Sequence, residues 1–258
     1  MAPRAHSPQT PRVSTFSPIP APPLPSLAVV LPCRNEEGNV ARTIRESLAL
    51  APLCGRLEVI VVDDGSTDGT RKLAEAIGDA DPRVRVVHNP VNLGYGGAIR
   101  RGFEATTADW VFLTDGDGQF DLGQLANFLA EASQARKAAA IGFRLKRAEG
   151  SRRALNAWLW GRLVGVVFGF RYRDVDCAFK LLPGGFARSP GGRAWVSTGA
   201  LISAEMLARA RRAGLSVVEL PVEHRPRVTG AAGGASPRVI LRAFSELLSL
   251  AGTIRRGR

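Results

Sequence analysis

Cysteine is scarce in this sequence, and its spacing offers no metal or disulfide framework. The 258 residues contain three cysteines, Cys33, Cys54 and Cys177, and no two of them have CxxC spacing. Scattered cysteines in an odd number argue against a zinc site and against a fold held together by disulfides. We therefore expect a reducing, cytoplasmic setting.

Long apolar runs are also missing. No stretch of about 18 uninterrupted apolar residues occurs, so the sequence predicts no transmembrane helix. Residues 1–26 are rich in proline, serine and threonine and poor in bulky apolar residues. Because such a segment buries too little surface to offset the entropy of ordering, it is predicted to be a disordered tail rather than a signal peptide. Over the whole chain, apolar residues make up 45%, which is sufficient for a hydrophobic core.

Acidic residues are outnumbered by basic ones. The chain has 35 Lys and Arg against 23 Asp and Glu, a net charge of +12. This excess implies an anionic partner, which is a nucleic acid, a phosphate-bearing ligand or an anionic membrane surface. Much of the charge lies beside apolar segments, with few interleaved aromatic residues for stacking on bases. The distribution favours lipid, and we expect no nucleic-acid partner.

A basic cluster precedes an apolar segment in the second half. The segment Trp158–Phe170 is apolar nearly all round, and either a core helix or a helix in the membrane interface would explain it. The cluster favours a peripheral position on the cytoplasmic face of a membrane. Residues 239–258 are predicted to form an amphipathic helix, to about Leu250, and a basic tail. The basic cluster comprises Arg144, Lys146, Arg147, Arg152 and Arg153.

Strand-like and helix-like segments alternate through the first 141 residues. Apolar runs at 27–31, 57–62, 84–87, 110–113 and 138–141 predict buried strands, and amphipathic segments between them predict helices. This alternation predicts right-handed βαβ units and an α/β fold, with a mainly parallel central sheet flanked by helices. We expect one domain over residues 27–238.

Three of the predicted strands end in acidic residues. Ligands of open α/β sheets bind outside the carboxyl ends of the strands, so these acids should face one crevice. Buried carboxylates are costly unless they are compensated, and oxygen ligands suit Mg²⁺ or Mn²⁺. A metal surrounded by acids and arginines suggests a nucleotide diphosphate substrate. The acids are Glu36 and Glu37, Asp63 and Asp64, and Asp115 and Asp117.

Four motifs together resemble a known family. They are VVLPCRNEEGNV, VIVVDDGSTDGT, NLGYGGAIRRGFE and DGDGQFD. In this order and spacing they are similar to glycosyltransferase family 2, and most similar to its polyprenyl-phosphate glycosyltransferases of the dolichyl-phosphate mannose synthase type. The resemblance covers roughly residues 27–248. It implies a GT-A fold and an inverting, metal-dependent sugar transfer from a nucleotide-sugar to a polyprenyl phosphate.

The resemblance also implies roles for individual residues. Donor binding falls to Pro32, Arg34, Glu36, Asp64, Asp115 and Arg227. The Mg²⁺ or Mn²⁺ ligands are Asp115, Asp117 and Gln119. Acceptor binding falls to Arg152, Asn156, Asp174, Asp176 and Lys180. The catalytic set is Asp117, Arg144, Arg152 and Lys180. One departure concerns the loop after Arg227, where some relatives carry a lysine and this chain has GAAGGAS.

The predicted acceptor needs no general base. A lipid phosphate is already anionic near neutral pH, and no histidine stands in a motif suited to proton abstraction. The arginines would then hold the acceptor phosphate and neutralise the two anions that the reaction brings together.

Three rival functions fit part of the pattern. In a dinucleotide-binding oxidoreductase, Gly94, Gly96 and Gly97 would open a helix after a strand, with Asp115 about 20 residues on. The third glycine position is Ile99, however, and Asp117 and Gln119 stay unexplained. A second rival is a family 2 enzyme with a non-lipid acceptor. A third is a non-enzymatic protein that binds nucleic acid or a membrane surface, suggested by the net charge of +12. The sequence leaves the sugar open, because GDP-mannose and UDP-glucose types are both compatible.

Overall fold

We describe a computed structural model of the chain for residues 24–134, 138–145, 151–227 and 246–254, without the side chains of residues 133–134 and 151–157. The prediction of a disordered tail falls mostly on residues 1–23, which lie outside the described residues. Residues 24–26, assigned to the tail from sequence, belong instead to the first strand, which begins at Leu24.

A seven-stranded sheet forms the centre of the fold. Its order is β3-β2-β1-β4-β6-β5-β7, and every neighbouring pair is parallel except the two that involve β6. The mainly parallel sheet predicted from the alternation is confirmed. The strands are β1 (Leu24–Cys33), β2 (Cys54–Asp63), β3 (Val84–His88), β4 (Trp110–Leu113), β5 (Ala138–Arg144), β6 (Lys180–Pro183) and β7 (Ser216–Val222).

Helices cover both faces of the sheet. They are α1 (Val40–Leu48), α2 (Thr70–Ala80), α3 (Tyr95–Glu104), α4 (Leu125–Gln134), α5 (Ser151–Phe168), α6 (Gly184–Arg188) and α7 (Ile202–Arg212). Short 3-10 turns lie at Ala51–Leu53 and Leu122–Gln124, and residues 246–254 are also helical.

Successive side chains of β1 point to opposite faces of the sheet, so this strand contributes to two hydrophobic cores. Leu27 and Val29 point into a core shared with α1 and α4, whereas Ala28 and Val30 point into a core shared with α3 and α7. All four are fully buried. A central parallel strand must be apolar on both faces, and the sequence of β1 satisfies this requirement.

Strand β6 was not predicted from the sequence. Lys180–Pro183 is short, carries a lysine at its first position, and pairs antiparallel with β4 on one side and β5 on the other. Four residues give too little alternation to distinguish a strand from a loop. Its position depends on tertiary pairing rather than on local propensity.

Helix α5 and the helical residues 246–254 pack together against α7. Val164 of α5 is buried in one apolar cluster with Leu247 and Leu250 of the helical residues 246–254. The sequence pattern places Leu248 on the apolar face of the helix predicted from residue 239 to about Leu250, but Leu248 is 73% exposed, and residues 239–245 of that helix lie outside the described residues. Among the residues that the structure describes, no helix is both long enough and apolar enough to cross a bilayer.

Candidate active site

The carboxyl ends of β2, β1 and β4 form one acidic crevice, as predicted from the sequence. These three strands are adjacent and parallel, so the residues that follow them meet at the same edge of the sheet. Glu36, Asp64 and Asp117 are buried there, and Asp115 is partly exposed. The acidic set therefore faces a common space, with only part of its charge open to water.

The loop after β1 is held by the loop after β2. Asn35 adopts a left-handed conformation with φ 56, and its side-chain oxygen accepts a hydrogen bond from the backbone N–H of Thr67 at 2.8 Å. The backbone N–H of Glu36 donates to Thr70 Oγ1 at 2.7 Å. These contacts turn Glu36 towards the crevice.

The two acids at the end of β2 support neighbouring loops. Asp63 Oδ2 lies 2.8 Å from Nδ1 of His88. Asp64 Oδ1 accepts hydrogen bonds from Nδ2 of Asn89 at 2.9 Å and from the backbone N–H of Leu93 at 2.8 Å. These acids thus position residues 88–93, and a contact of Asp64 with the donor stays a prediction.

Asp115 is hydrogen bonded to Tyr95 and has a raised pKa. The phenol of Tyr95 donates to its Oδ1 at 2.8 Å. Burial, reinforced by the nearby charge of Asp117, nevertheless raises the pKa of Asp115 to about 6. The positive charges of Arg144 and Lys180 only partly offset this effect.

Arg227 joins two crevice acids that are distant in sequence. Its Nη2 lies 2.7 Å from Glu36 Oε1 and 3.0 Å from Asp117 Oδ2. Burial raises the pKa of Glu36, while hydrogen bonds from Asn39 and the charge of Arg227 act in the opposite direction. The guanidinium therefore provides the positive charge between these two carboxylates.

Gln119 fixes the segment that carries Arg227. Its Nε2 donates to the carbonyl oxygen of Arg225 at 2.9 Å, and the backbone N–H of Arg225 donates to the carbonyl oxygen of Gln119 at 2.7 Å. Phe120 and His224 form an isolated antiparallel bridge next to these contacts. In this structure Gln119 holds the arginine segment, and its predicted role as a metal ligand stays a prediction.

Arg144 and Asp174 form a fork-to-fork pair beside the crevice. Arg144 Nε lies 2.7 Å from Oδ2 of Asp174, and Nη2 lies 2.9 Å from Oδ1. Burial alone would lower the pKa of Arg144, but the hydrogen bonds and charge of Asp174 outweigh it and the pKa is raised. The arginine at the end of β5 is thus fully charged and oriented by the loop before β6.

Lys180 is completely buried at the start of β6. Its Nζ donates to the carbonyl oxygens of Val175 and Cys177, and it lies 3.5 Å from Ser203 Oγ. Burial lowers the pKa of this lysine. Lys180 therefore stabilises the loop that carries Asp174 and Asp176, and direct contact with an acceptor phosphate stays a prediction.

The remaining predicted residues lie in β1, in the loops after β1 and before β6, and on α5. Pro32 lies in β1 opposite Val62, beyond the last pair that β1 makes with β4, so its missing N–H leaves no gap in the sheet. Arg34 is exposed and Asp176 is half-buried. Arg152 and Asn156 lie on α5, and their side chains are outside the described part of the chain.

The acid pair after β4 suits a divalent cation. Asp115 and Asp117 supply hard oxygen ligands, and burial together with the nearby charge of Asp117 raises the pKa of Asp115 to about 6. In the described part of the chain, no group of three or more His, Cys, Asp and Glu could hold a metal ion. A bound Mg²⁺ or Mn²⁺ would therefore take its other ligands from water and substrate phosphate, as Mg²⁺ commonly does.

The glycines of the third motif do not cradle a dinucleotide. The backbone N–H groups of Gly96 and Gly97, in the first turn of α3, donate to the carbonyl oxygen of Thr198 at 2.8 and 3.3 Å. A Cβ on Gly94 or Gly96 would overlap residues 197–199. The helix N-terminus that would bind a pyrophosphate is occupied by the protein's own backbone, which argues against the oxidoreductase.

Several supporting residues escaped the sequence analysis. Thr43 Oγ1 donates to the carbonyl oxygen of Gly116 at 3.1 Å, and Arg42 Nη2 donates to that of Gly118 at 3.2 Å. Both belong to α1 and fix the backbone around Asp117. They stand as ordinary polar positions of an amphipathic helix, so only their tertiary contacts reveal the role. Tyr95 likewise carries no local signal for its bond to Asp115.

A family model and related proteins agree with this geometry. The model of glycosyl transferase family 2 matches residues 28–192. Glycosyltransferase AglD of Haloferax volcanii is 32% identical over 216 residues, which cover 78% of this chain and 33% of that protein. Dodecaprenyl-phosphate galacturonate synthase of Rhizobium johnstonii is 29% identical, over 60% of this chain and 47% of its own. The chain spans between a third and a half of the length of these relatives.

A solved structure shares the fold. Glucosyl-3-phosphoglycerate synthase from Mycobacterium tuberculosis, in complex with Mn²⁺, UDP-glucose and phosphoglyceric acid, superposes with a TM-score of 0.64 at 22% identity. The alignment covers 88% of this chain and 80% of that one. The predicted GT-A fold is thereby confirmed. Because the family model matches most of the sheet and all three strands that end in acidic residues, the chain belongs to glycosyl transferase family 2.

Proposed function

We propose that this enzyme transfers a sugar from a nucleotide-sugar to a polyprenyl phosphate at a membrane surface, with inversion at the sugar carbon. The observation that carries the proposal is the acidic crevice bridged by Arg227, at the strand ends where such folds bind ligands. The Rhizobium relative, whose name specifies a dodecaprenyl-phosphate acceptor, supports the lipid acceptor.

The donor half of the crevice would hold a diphosphate. Asp115 and Asp117, with Gln119 as a further candidate, would bind a Mg²⁺ or Mn²⁺ that neutralises the diphosphate leaving group. Arg227 would add a second positive charge, because its guanidinium already lies beside Asp117. The residues proposed around the base and ribose are Pro32, Arg34, Glu36 and Asp64.

The acceptor half would hold a second anion in line with the sugar. An oxygen of the acceptor phosphate forms the new bond to the anomeric carbon from one side, while the bond to the diphosphate oxygen breaks on the other. No proton needs to be removed, because the attacking oxygen is already anionic. The cations proposed to position this phosphate are Arg144, oriented by Asp174, together with Arg152 and Lys180. Asn156 and Asp176 are proposed to line the same half.

The exposed face of α5 supports a membrane-surface position. Trp158, Leu159 and Val166 are 57%, 52% and 82% exposed, and they fall on one side of the helix with Arg162. The guanidinium carbon of Arg162 lies 5.4 Å from the centroid of the Trp158 ring. Tryptophan and arginine beside exposed aliphatic residues suit the boundary between lipid headgroups and acyl chains. We propose a peripheral location on the cytoplasmic face.

A non-lipid acceptor is the second candidate. The structural neighbour from M. tuberculosis was solved with phosphoglyceric acid, a soluble phosphate. Both acceptors present a phosphate to the enzyme, so the cations of the crevice alone do not distinguish them. The exposed apolar face of α5 favours the lipid acceptor, because binding a soluble acceptor does not require such a face.

A product assay tests the proposal. The enzyme and Mn²⁺ are incubated with a panel of nucleotide-sugars and either a short polyprenyl phosphate or 3-phosphoglycerate, and the products are identified by mass. The expected result is a sugar attached to the polyprenyl phosphate with one donor of the panel. Product only with phosphoglycerate would replace the lipid acceptor by the soluble one.

A further inference from the structure

A small basic pocket lies away from the acidic crevice. It has a volume of about 140 Å³ and is lined by Arg193, Arg209, Arg212 and Ile254, among others. Pro183 of β6 pairs with Trp110, the first residue of β4, so the chain that continues into α6 and residue 193 starts at the amino end of β4. The acids of the crevice follow the opposite end of that strand. The pocket is therefore separate from the proposed donor and acceptor sites.

Arg209 is a buried guanidinium with an unused donor. Its side chain is 5% exposed, and its Nε lies 2.7 Å from Glu205 Oε1. Its Nη2 is buried and has no hydrogen-bond partner among the described residues. Leaving a charged donor unpaired in the interior is unfavourable, and Arg209 is one of the residues that line the pocket, so an acceptor bound there would give this guanidinium a partner.

Glu205 does not neutralise the pocket as a whole. Its two oxygens accept hydrogen bonds from Arg209 and from the backbone N–H groups of Val196 and Ser197. Arg193 and Arg212 are exposed at the rim and form no ion pair within the described chain. The pocket therefore carries an excess of positive charge.

The dipole of α7 explains the position of only some of these basic residues. Basic residues are favourable in the last turn of a helix, which explains exposed arginines such as Arg212. It does not explain a buried Nη2 at Arg209 without a partner. The pocket, at about 140 Å³, is also well above the roughly 10–15 Å³ that a cavity needs to hold one water, so it has room for a tetrahedral oxyanion.

We propose that Arg193, Arg209 and Arg212 form a binding site for a phosphate group, distinct from the catalytic crevice. Arginine forks match the oxygens of phosphate in geometry and charge. The phosphate belongs to a soluble phosphate compound or to a phospholipid headgroup. The second source is compatible with the fold, because Ile254 belongs to the helical layer that packs with α5.

Titration with inorganic phosphate tests the site. Binding is measured by calorimetry without divalent cation, and because the acceptor half of the crevice is also proposed to hold a phosphate, the difference between variants identifies the pocket. The double variant R193Q/R212Q changes only exposed side chains and is expected to fold. The matched control R45Q/R56Q removes the same charge from exposed positions elsewhere. Phosphate affinity should fall about tenfold in R193Q/R212Q and stay unchanged in the control.

R209K examines the buried donor directly. It keeps a positive charge near Glu205 but removes the free Nη2, and it should lose phosphate binding while thermal melting shows a folded protein. If R209K does not fold, the double variant alone decides. Equal phosphate affinity in the wild type and R193Q/R212Q would overturn the proposal, and so would equal losses in both double variants.

Vesicle flotation separates the two sources. Vesicles of phosphatidylcholine with phosphatidic acid are compared with vesicles of phosphatidylcholine alone. If R193Q/R212Q also floats less than the control on phosphatidic acid, the bound phosphate is that of a phospholipid. If flotation is the same in both double variants, while the calorimetric difference holds, the ligand is a soluble phosphate compound.

Discussion

The guanidinium of Arg227 lies 3.0 Å from the carboxylate of Asp117, although 110 positions separate the two residues in sequence. This contact links the segment after β7 to the loop after β4. It places a fixed positive charge beside the acid pair proposed to bind the metal and diphosphate. Arg227 is held there partly through the backbone of Arg225, which Gln119 binds.

Replacing Arg227 should weaken donor binding. In Arg227→Ala, Glu36 and Asp117 lose their common cation, and the diphosphate would lose a charge-assisted partner. We expect KM for the nucleotide-sugar to rise about tenfold or more, the scale of about 1.5–3 kcal/mol for a hydrogen bond to a charged group. Steady-state kinetics with varied donor measure this.

Arg225→Ala provides the control for Arg227. Its side chain is exposed and pairs with Asp121, whereas its backbone makes the contacts with Gln119. Donor KM should stay close to the wild-type value. Equal effects of the two variants would show that general charge, rather than the placement of Arg227, determines donor affinity.

Stability without divalent cation should fall as pH rises through the titration of Asp115. The pKa of this carboxyl is raised from an ordinary 3.8 to about 6 in the folded protein. Between these values the folded state binds more protons than the unfolded state, so the stabilising contribution is present at low pH and lost above about pH 6. Glu36, whose pKa is also raised, acts in the same direction.

Urea unfolding from pH 4 to pH 7 measures the effect, with Asp115→Asn as the test and Asp79→Asn as the control. Asp79 is exposed on α2, so its variant should keep the wild-type slope. Asp115→Asn should flatten the fall in the free energy of unfolding. A slope unaffected by Asp115→Asn would mean that this carboxyl is not the group that titrates.

The sequence was most informative where local patterns and chain topology coincide. Trp110–Leu113 was predicted with the same bounds as the observed β4, and the convergence of Glu36, Asp64 and Asp117 followed from parallel strands ending at one edge. Strand β6 was missed because its pairing with β4 and β5 is antiparallel and nonlocal. Periodicity carries no information on such pairings.

The contacts inside the site were less predictable than its residues. Acids and arginines could be assigned to the crevice, but not the pairing of Arg144 with Asp174 or the burial of Lys180 against backbone carbonyls. Such pairings depend on which loops meet after folding. Gly94 and Gly96 show the same limit. In the sequence they fit part of a dinucleotide-binding fingerprint, but in the structure they lie against residues 197–199.

Glu205 is expected to be a major contributor to stability. It is fully buried, accepts the Nε–H of Arg209 at 2.7 Å, and also accepts two backbone N–H groups of the loop before α7. Glu205→Ala leaves Arg209 and these donors unpaired in the interior. The free energy of unfolding should fall by about 3–5 kcal/mol, as for other buried pairs broken on one side.

Denaturant unfolding of Glu205→Ala measures this loss, and Glu75→Ala is the matched control. Glu75 forms an exposed i,i+4 pair with Arg71, so its loss should cost at most about 0.5 kcal/mol. Similar losses in the two variants would contradict the role of Glu205.

Arg152 should matter for the acceptor more than for the donor. Arg152→Gln removes one of the charges proposed to hold the acceptor phosphate, so KM for polyprenyl phosphate should rise about tenfold, while KM for the nucleotide-sugar changes little. Arg45→Gln, at an exposed position of α1, is the control for a lost surface charge. Equal changes in both KM values of Arg152→Gln would argue against its assignment.

The most direct test follows both products of the reaction in one assay, with the wild type and Asp117→Asn compared. The proposed transfer requires that one nucleoside diphosphate is released for each sugar attached to polyprenyl phosphate, in the presence of Mn²⁺. We predict equal amounts of the two products with the wild type and neither with a folded Asp117→Asn. Lipid-linked sugar formed at the wild-type rate by Asp117→Asn, or diphosphate released without it by the wild type, would contradict the account.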